Sequence, residues 1–113
     1  MVRKYVPDRG DLIWLDLEPQ SGHEQKGIRP ALVLSSKSYN QKTSLAILCS
    51  ITNKEKGYPF EVKLTQNAPV TGVILSDQIK SLDWKARNAK FISKLDTDAM
   101  DEVLGKIKAL IDE

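Results

Sequence analysis

Four side chains able to bind or move charge fall within one short stretch, Gly22-His23-Glu24-Gln25-Lys26-Gly27-Ile28-Arg29-Pro30. An imidazole, a carboxylate, an amide and a guanidinium there make a working loop, since hairpin connections usually close in about 2–5 residues. This polar, glycine-bracketed segment runs from about Glu18 to Arg29. Surface loops held by a rigid scaffold are where binding and catalytic groups concentrate. Arg29 precedes Pro30, which biases its backbone toward an extended conformation at the mouth of the next strand. Thr52 stands where another apolar run enters a second polar loop. If both loops open on the same sheet edge, Arg29 and Thr52 face one another. The guanidinium would then neutralise charge on a transferring phosphoryl group while the hydroxyl donates a hydrogen bond. The plainer alternative is a surface ion-pairing Arg and a Thr present for strand propensity.

Other chemistries lack their residues. Cys49 and His23 are the single cysteine and histidine, far apart, so a zinc site of the usual kind is excluded. No glycine-rich loop leads from a strand into a helix, which removes phosphate-binding and dinucleotide-binding units. His23 as a hydrolase base would need a nucleophile elbow, and none accompanies it.

The elements that must position these groups are mostly strands. Leu12–Leu17 places Ile13, Leu15 and Leu17 on one face, and Ala31–Leu34 is a continuous apolar run suited to a central strand. Lys37–Lys42 is polar and turn-rich. Leu45–Ile51 is a third strand, and Phe60, Val62 and Leu64 alternate with Pro59, Glu61 and Lys63 as in a half-buried strand. Val73–Leu75 and Phe91–Ile92 are short strands. From Leu95 the period changes: Asp96 or Thr97 can cap a helix, Asp98 and Asp101 suit its positive end, and Met100, Val103, Leu104, Ile107, Leu110 and Ile111 recur at helical spacing. Short strands followed by one amphipathic helix predict a small, strongly bent sheet or barrel with a packed C-terminal helix.

At 113 residues the chain forms one domain over residues 1–113, with no repeat, linker or low-complexity segment. No apolar run is long enough for a membrane span, and the N-terminus lacks a signal-peptide core, so a cytoplasmic location is expected with Cys49 a buried, reduced thiol. Net charge is +2, but residues 37–94 hold ten basic against four acidic side chains and residues 95–113 two against six. A basic middle suits a polyanion such as nucleic acid, though on charge alone a solvated surface is the plainer reading.

Five ordered blocks now carry a resemblance: Gly10-Asp11-Leu12-Ile13-Trp14, the loop Gly22 to Pro30, Ala31-Leu32-Val33-Leu34-Ser35, Gly57-Tyr58-Pro59-Phe60-Glu61-Val62, and Asp77-Gln78-x-Lys80-Ser81. Together the chain resembles the MazF/PemK family, toxins of type II toxin–antitoxin pairs, and most resembles the MazF branch. The likeness covers nearly the whole chain and is weakest around residues 64–71 and 88–98. It implies a mainly β fold, an SH3-like small β-barrel of the MazF/PemK/CcdB type with a C-terminal amphipathic helix. It also implies a homodimer, and a sequence-specific, ribosome-independent and metal-independent endoribonuclease that needs no cofactor. The implied substrate is single-stranded mRNA, cut at a triplet of the ACA kind, with translation and growth inhibited. Attack of the ribose 2′-hydroxyl would leave a 2′,3′-cyclic phosphate and a 5′-hydroxyl, a route closed to DNA.

Carried over by position, Arg29 and Thr52 match the catalytic pair of the MazF branch, and Glu24 matches an acidic position needed for its activity. As a base Glu24 would need its pKa raised above the usual carboxylate value of about 4.3. His23 and Asp77 match positions implicated in the PemK branch, where an Arg stands two residues before the Asp; Leu75 holds that place here. The departure favours the Arg29–Thr52 pair, and His23 has a second reading as a loop hydrogen-bonding residue. For RNA, the resemblance implies that Gln25, Gln78 and Lys80 line the groove, Lys80 on phosphate and Gln78 on a base edge, with Lys54 and Lys56 adding backbone contacts. Tyr58 and Trp14 are candidates for base stacking, with core packing the alternative, and Trp84 is structural.

The implied partner is an acidic, MazE-like antitoxin whose disordered tail folds across the basic groove. Two other readings share the fold: a non-catalytic poison of DNA gyrase, and an RNA- or protein-binding module. Neither needs a guanidinium and a hydroxyl set for phosphoryl transfer.

Overall fold

The computed structural model describes residues 4–16 and 27–112. Among the described residues six strands, β1 (Asp11–Asp16), β2 (Ile28–Val33), β3 (Leu45–Thr52), β4 (Glu61–Lys63), β5 (Val73–Asp83) and β6 (Lys90–Lys94), accompany two helices, α1 (Lys37–Thr43) and α2 (Thr97–Ile111). They form one antiparallel sheet in the order β4-β5-β3-β2-β1-β6. The mainly β architecture closed by a C-terminal helix is the expected one.

The continuous apolar runs in β1 to β3 follow from burial on both faces. Successive side chains point to opposite sides of a sheet. Leu12, Leu32, Cys49 and Ile51 accordingly join one core with Ala99, Met100 and Val103 of α2, while Ile13, Leu15, Ala31, Val33, Ala46 and Leu48 join a second around Trp84. Each fully buried aliphatic side chain contributes on the order of 1.5–3 kcal/mol. Helix α2 starts at the Asp96 cap, whose carboxylate accepts the Ala99 N–H at 3.0 Å. Its last turn is uncovered: Leu110 and Ile111, placed by periodicity in the apolar stripe, are exposed, Ile111 to 75%.

Two segments differ most from the sequence-based expectation. Lys37–Lys42 is helical, because Ser36 accepts the Tyr39 N–H, and Ser44, at φ 61°, ends the helix by donating its N–H to the Asn40 carbonyl. What anchors α1 is not an apolar stripe but the fully buried Asn40 side chain. Its amide donates to the carbonyls of Pro7 (2.8 Å) and Ser35 (3.1 Å), and its oxygen accepts from the Ser35 hydroxyl. Trp84, structural as expected, donates from Nε1 to the Asn40 carbonyl at 2.9 Å.

The second difference is β5, which extends from the expected Val73–Leu75 to Asp83. Cys49 pairs with Ile79 and Ile51 with Ile74, so two steps along β3 oppose five along β5. The excess forms a bulge over residues 75–78, which carries Asp77 and Gln78. Bulges of this kind re-aim side chains beside functional sites.

Candidate functional site

The strand ends on one side of the sheet enclose a cavity of about 530 Å³, walled by Trp14, Arg29, Thr52, Asn53 and Lys54 together with the segment Pro69–Thr71. Arg29 is brought there by β2, which begins earlier than its apolar run: Arg29 pairs with Leu15 and Pro30 with Trp14. The β2–β3 ladder runs only over Ala31–Val33, so Pro30, with no N–H to donate, stands where that flank is not laddered. Thr52 is the last residue of β3, opposite Val73. The sequence-derived pair therefore shares one cavity wall.

The Thr52 hydroxyl oxygen accepts the Lys54 N–H at 3.1 Å, which leaves its own proton to donate. Arg29 is exposed and reaches the Ile28 carbonyl at 3.3 Å; among the described residues no carboxylate forms a salt bridge with it. The guanidinium, a hydroxyl donor and Lys54 make a cleft suited to one phosphodiester. Trp14, 38% exposed, forms part of its wall.

A smaller cavity of about 240 Å³ adjoins the first through Thr52 and Lys54, and brings in Lys56, Tyr58, Asp77 and Gln78. Lys80 lies farther along β5 opposite Leu48 and lines neither cavity. His23, Glu24 and Gln25 lie outside the described residues. Among the described residues no group of three His, Cys, Asp or Glu side chains could hold a metal ion.

Two features of the site escaped the sequence reading. Asn53 and Thr71 join the loops across the larger cavity by a 2.8 Å hydrogen bond, and Gly72 fits against the Thr52 backbone. Gly72 sits at φ +118°, with its Cβ position 2.4 Å from the Thr52 carbonyl oxygen. A side chain there has no room. The Thr-Gly pair at 71–72 is the only cue in the sequence, and it lies beside the stretch where the likeness is weakest.

A curled six-stranded antiparallel sheet with a C-terminal helix, and a cleft at its strand ends lined by Arg29, Thr52 and Lys54, define the class of small β proteins to which this chain is similar. The family described as PemK-like, MazF-like toxin of type II toxin–antitoxin system matches residues 8–111, and the chain belongs to it. Within that family it falls in the MazF branch: it is 46% identical over 111 residues to the endoribonuclease toxin MazF of Escherichia coli K12, covering 98% of this chain and 99% of that one. Endoribonuclease PemK of Escherichia coli is 33% identical over 113 residues, covering 96% and 85%. Among solved structures, MazF of Deinococcus radiodurans superposes with a TM-score of 0.87 at 48% identity, covering 97% of this chain and all of that one. A MazE–MazF structure from the same organism gives 0.86 at 44% identity, covering 96% and 97%. No helix among the described residues is long and apolar enough to cross a membrane.

Proposed function

We propose that this chain is the toxin of a type II toxin–antitoxin pair and acts as an endoribonuclease on single-stranded mRNA. The observation that carries the reading is Arg29 and Thr52 on one wall of the same cleft in a chain of the MazF branch. In the reaction, the ribose 2′-oxygen attacks the adjacent phosphorus and the bond from phosphorus to the 5′-oxygen breaks. A base takes the 2′-hydroxyl proton and an acid returns one to the leaving oxygen. The products are a 2′,3′-cyclic phosphate and a 5′-hydroxyl. Arg29 stabilises the charge on the phosphorane and supplies the proton to the leaving oxygen; Thr52 donates its hydroxyl to a non-bridging oxygen. Glu24 is the first candidate base, with His23 and Asp77 behind it. Lys54, Lys56, Lys80 and Gln25 would hold the backbone, with Trp14, Tyr58 and Gln78 on the bases.

An acidic antitoxin and a second copy of the chain are the proposed partners. The excess of ten basic over four acidic side chains in residues 37–94 suits the first. The exposed Leu104, Leu110 and Ile111 of α2 offer apolar surface for the second. A cytoplasmic location accords with both.

The test incubates the purified protein with an end-labelled single-stranded RNA of varied triplets in EDTA, beside the matching DNA and the Arg29→Ala variant. Discrete cuts in RNA alone, ending in cyclic phosphate, are expected. Loss of one such stabilising group should slow cutting about 100- to 1,000-fold. Intact RNA from folded protein would refute the reading.

A further inference from the structure

The loop between β3 and β4 carries Lys56 and Tyr58 into the smaller cavity, yet it has little core packing of its own, since residues 53–59 are all exposed. One carboxylate fastens its turn. Glu61, the first residue of β4 and paired with Leu75 of β5, accepts the Lys56 N–H on both oxygens (3.1 and 3.3 Å) and the Gly57 N–H at 3.0 Å. Gly57 turns at φ +79°, and the two successive N–H groups converge on a single anion. The Glu61 N–H closes the turn on the Tyr58 carbonyl at 3.1 Å, and Lys106 of α2 donates to the Pro59 carbonyl. The Tyr58 ring stacks on Phe60 with centroids 5.2 Å apart and planes at 21°.

Leu75, Asp77 and Gln78 of the β5 bulge line the same cavity. At about 240 Å³ the space lies below the roughly 300–1,000 Å³ of drug-sized pockets, room for one planar ring system. Stacked aromatics with the Asp77 carboxylate and the Gln78 amide in one lining suit a single nucleobase, adjoining the larger cleft at Thr52 and Lys54. We infer that Glu61 is a positioning residue for base selection: its carboxylate fixes Lys56 and Tyr58 as one wall of this cavity, and that wall decides which base beside the cut is accepted. The inference rests on the ribonuclease reading above. Because Glu61 holds exposed N–H groups that water can satisfy, its loss loosens the wall rather than the fold.

The test compares wild type, Glu61→Gln and Glu61→Ala on single-stranded RNAs covering all triplets at the cut, reading the rate at the preferred triplet and its ratio to the next best. Glu61→Ala should lower that ratio roughly tenfold, the scale of a discriminating pocket contact. Glu61→Gln, which keeps one acceptor oxygen, should fall between. Because Lys56 and Tyr58 would touch the RNA, the loss should fall on the preferred triplet, with the next best changing by less than about threefold. An unchanged ratio in both folded variants overturns the inference, and so does a uniform loss at every triplet, which would mark a general structural role. RNA left intact by the wild type refutes the ribonuclease reading and this inference with it.

Discussion

Replacing Gly72 by alanine tests whether the proposed catalytic cleft depends on a backbone contact. The added Cβ would stand 2.4 Å from the Thr52 carbonyl oxygen, 2.9 Å from its carbon and 3.0 Å from the Asn53 Oδ1. Ordinary contact begins at 3.4 Å, so the carbonyl must withdraw by 3.4 − 2.4 = 1.0 Å. Two of those atoms are backbone in the β3–β5 ladder, where Thr52 pairs with Val73. No flexible side-chain end can absorb the displacement. A strained backbone at positive φ costs about 1–3 kcal/mol and overpacking a further 1–3, so the loss should fall between about 2 and 6 kcal/mol. A reacting group misplaced by about 1 Å costs on the order of 100-fold in rate. Urea unfolding gives the first quantity and single-turnover cleavage of RNA the second. Gly57→Ala is the control: φ is also positive, at +79°, but nothing lies within 4 Å of its Cβ position. It should lose only the conformational cost of about 1–2 kcal/mol. If Gly72→Ala unfolds and cleaves like wild type, the contact does not hold Thr52 and the reasoning fails.

The polar anchor of α1 should be as sensitive as an apolar core. Asn40→Ala removes three hydrogen bonds at a fully buried position, and should lower stability by about 2–4 kcal/mol in urea titration; less than about 1 would show that water replaces the amide. Stability should also fall at alkaline pH. Burial, with the Asp77 charge adding to it, pushes the Cys49 thiol from its ordinary 9.0 up to about 12. Burial, the hydrogen bond to Asp11 and the Asp11 and Asp8 charges push the Tyr5 phenol above its usual value. Both groups are held neutral by the fold, so their contribution is complete below about pH 9 and is lost as pH rises toward the folded values, at up to about 1.4 kcal/mol per pH unit for each group. Cys49→Ala should flatten the decline in unfolding free energy between pH 9 and 12; an unchanged slope would mean the thiol does not titrate there.

How much of this was legible in the sequence depended on whether an element is held by apolar periodicity. The third strand, expected at Leu45–Ile51, ends one residue later at Thr52, and α2 begins at the anticipated Asp96 cap. Helix α1 was hidden because Asn40 reads as a turn residue until its three partners, distant or adjacent, are in place. The outer half of β5 was hidden for the opposite reason: residues 77–81 are exposed and show no alternation. At the site, Arg29 and Thr52 could be paired from residue types and strand ends. The roles expected of Asp77, Gln78 and Tyr58 came from likeness alone, and the bulge that places two of them has no local cue. Gly72 and Glu61 act through backbone atoms, which side-chain patterns do not record.

The sheet order also sets a schedule for synthesis. Strand β1 forms from residues 11–16, but its outer neighbour β6 comes from residues 90–94, and Asp11 pairs with Lys94. Elongation runs at about 5–20 residues per second, so the nascent chain carries β1 without that flank for roughly 4–17 s. Arg29 and Thr52 emerge early, but Val73, the partner that fixes the end of β3, follows Thr52 by a further 21 residues. Long-range pairing of this kind is slow to form and leaves strand edges bare meanwhile. The cleft is therefore completed late: a chain halted before β5 holds both Arg29 and Thr52 but lacks the strand that pairs with the end of β3.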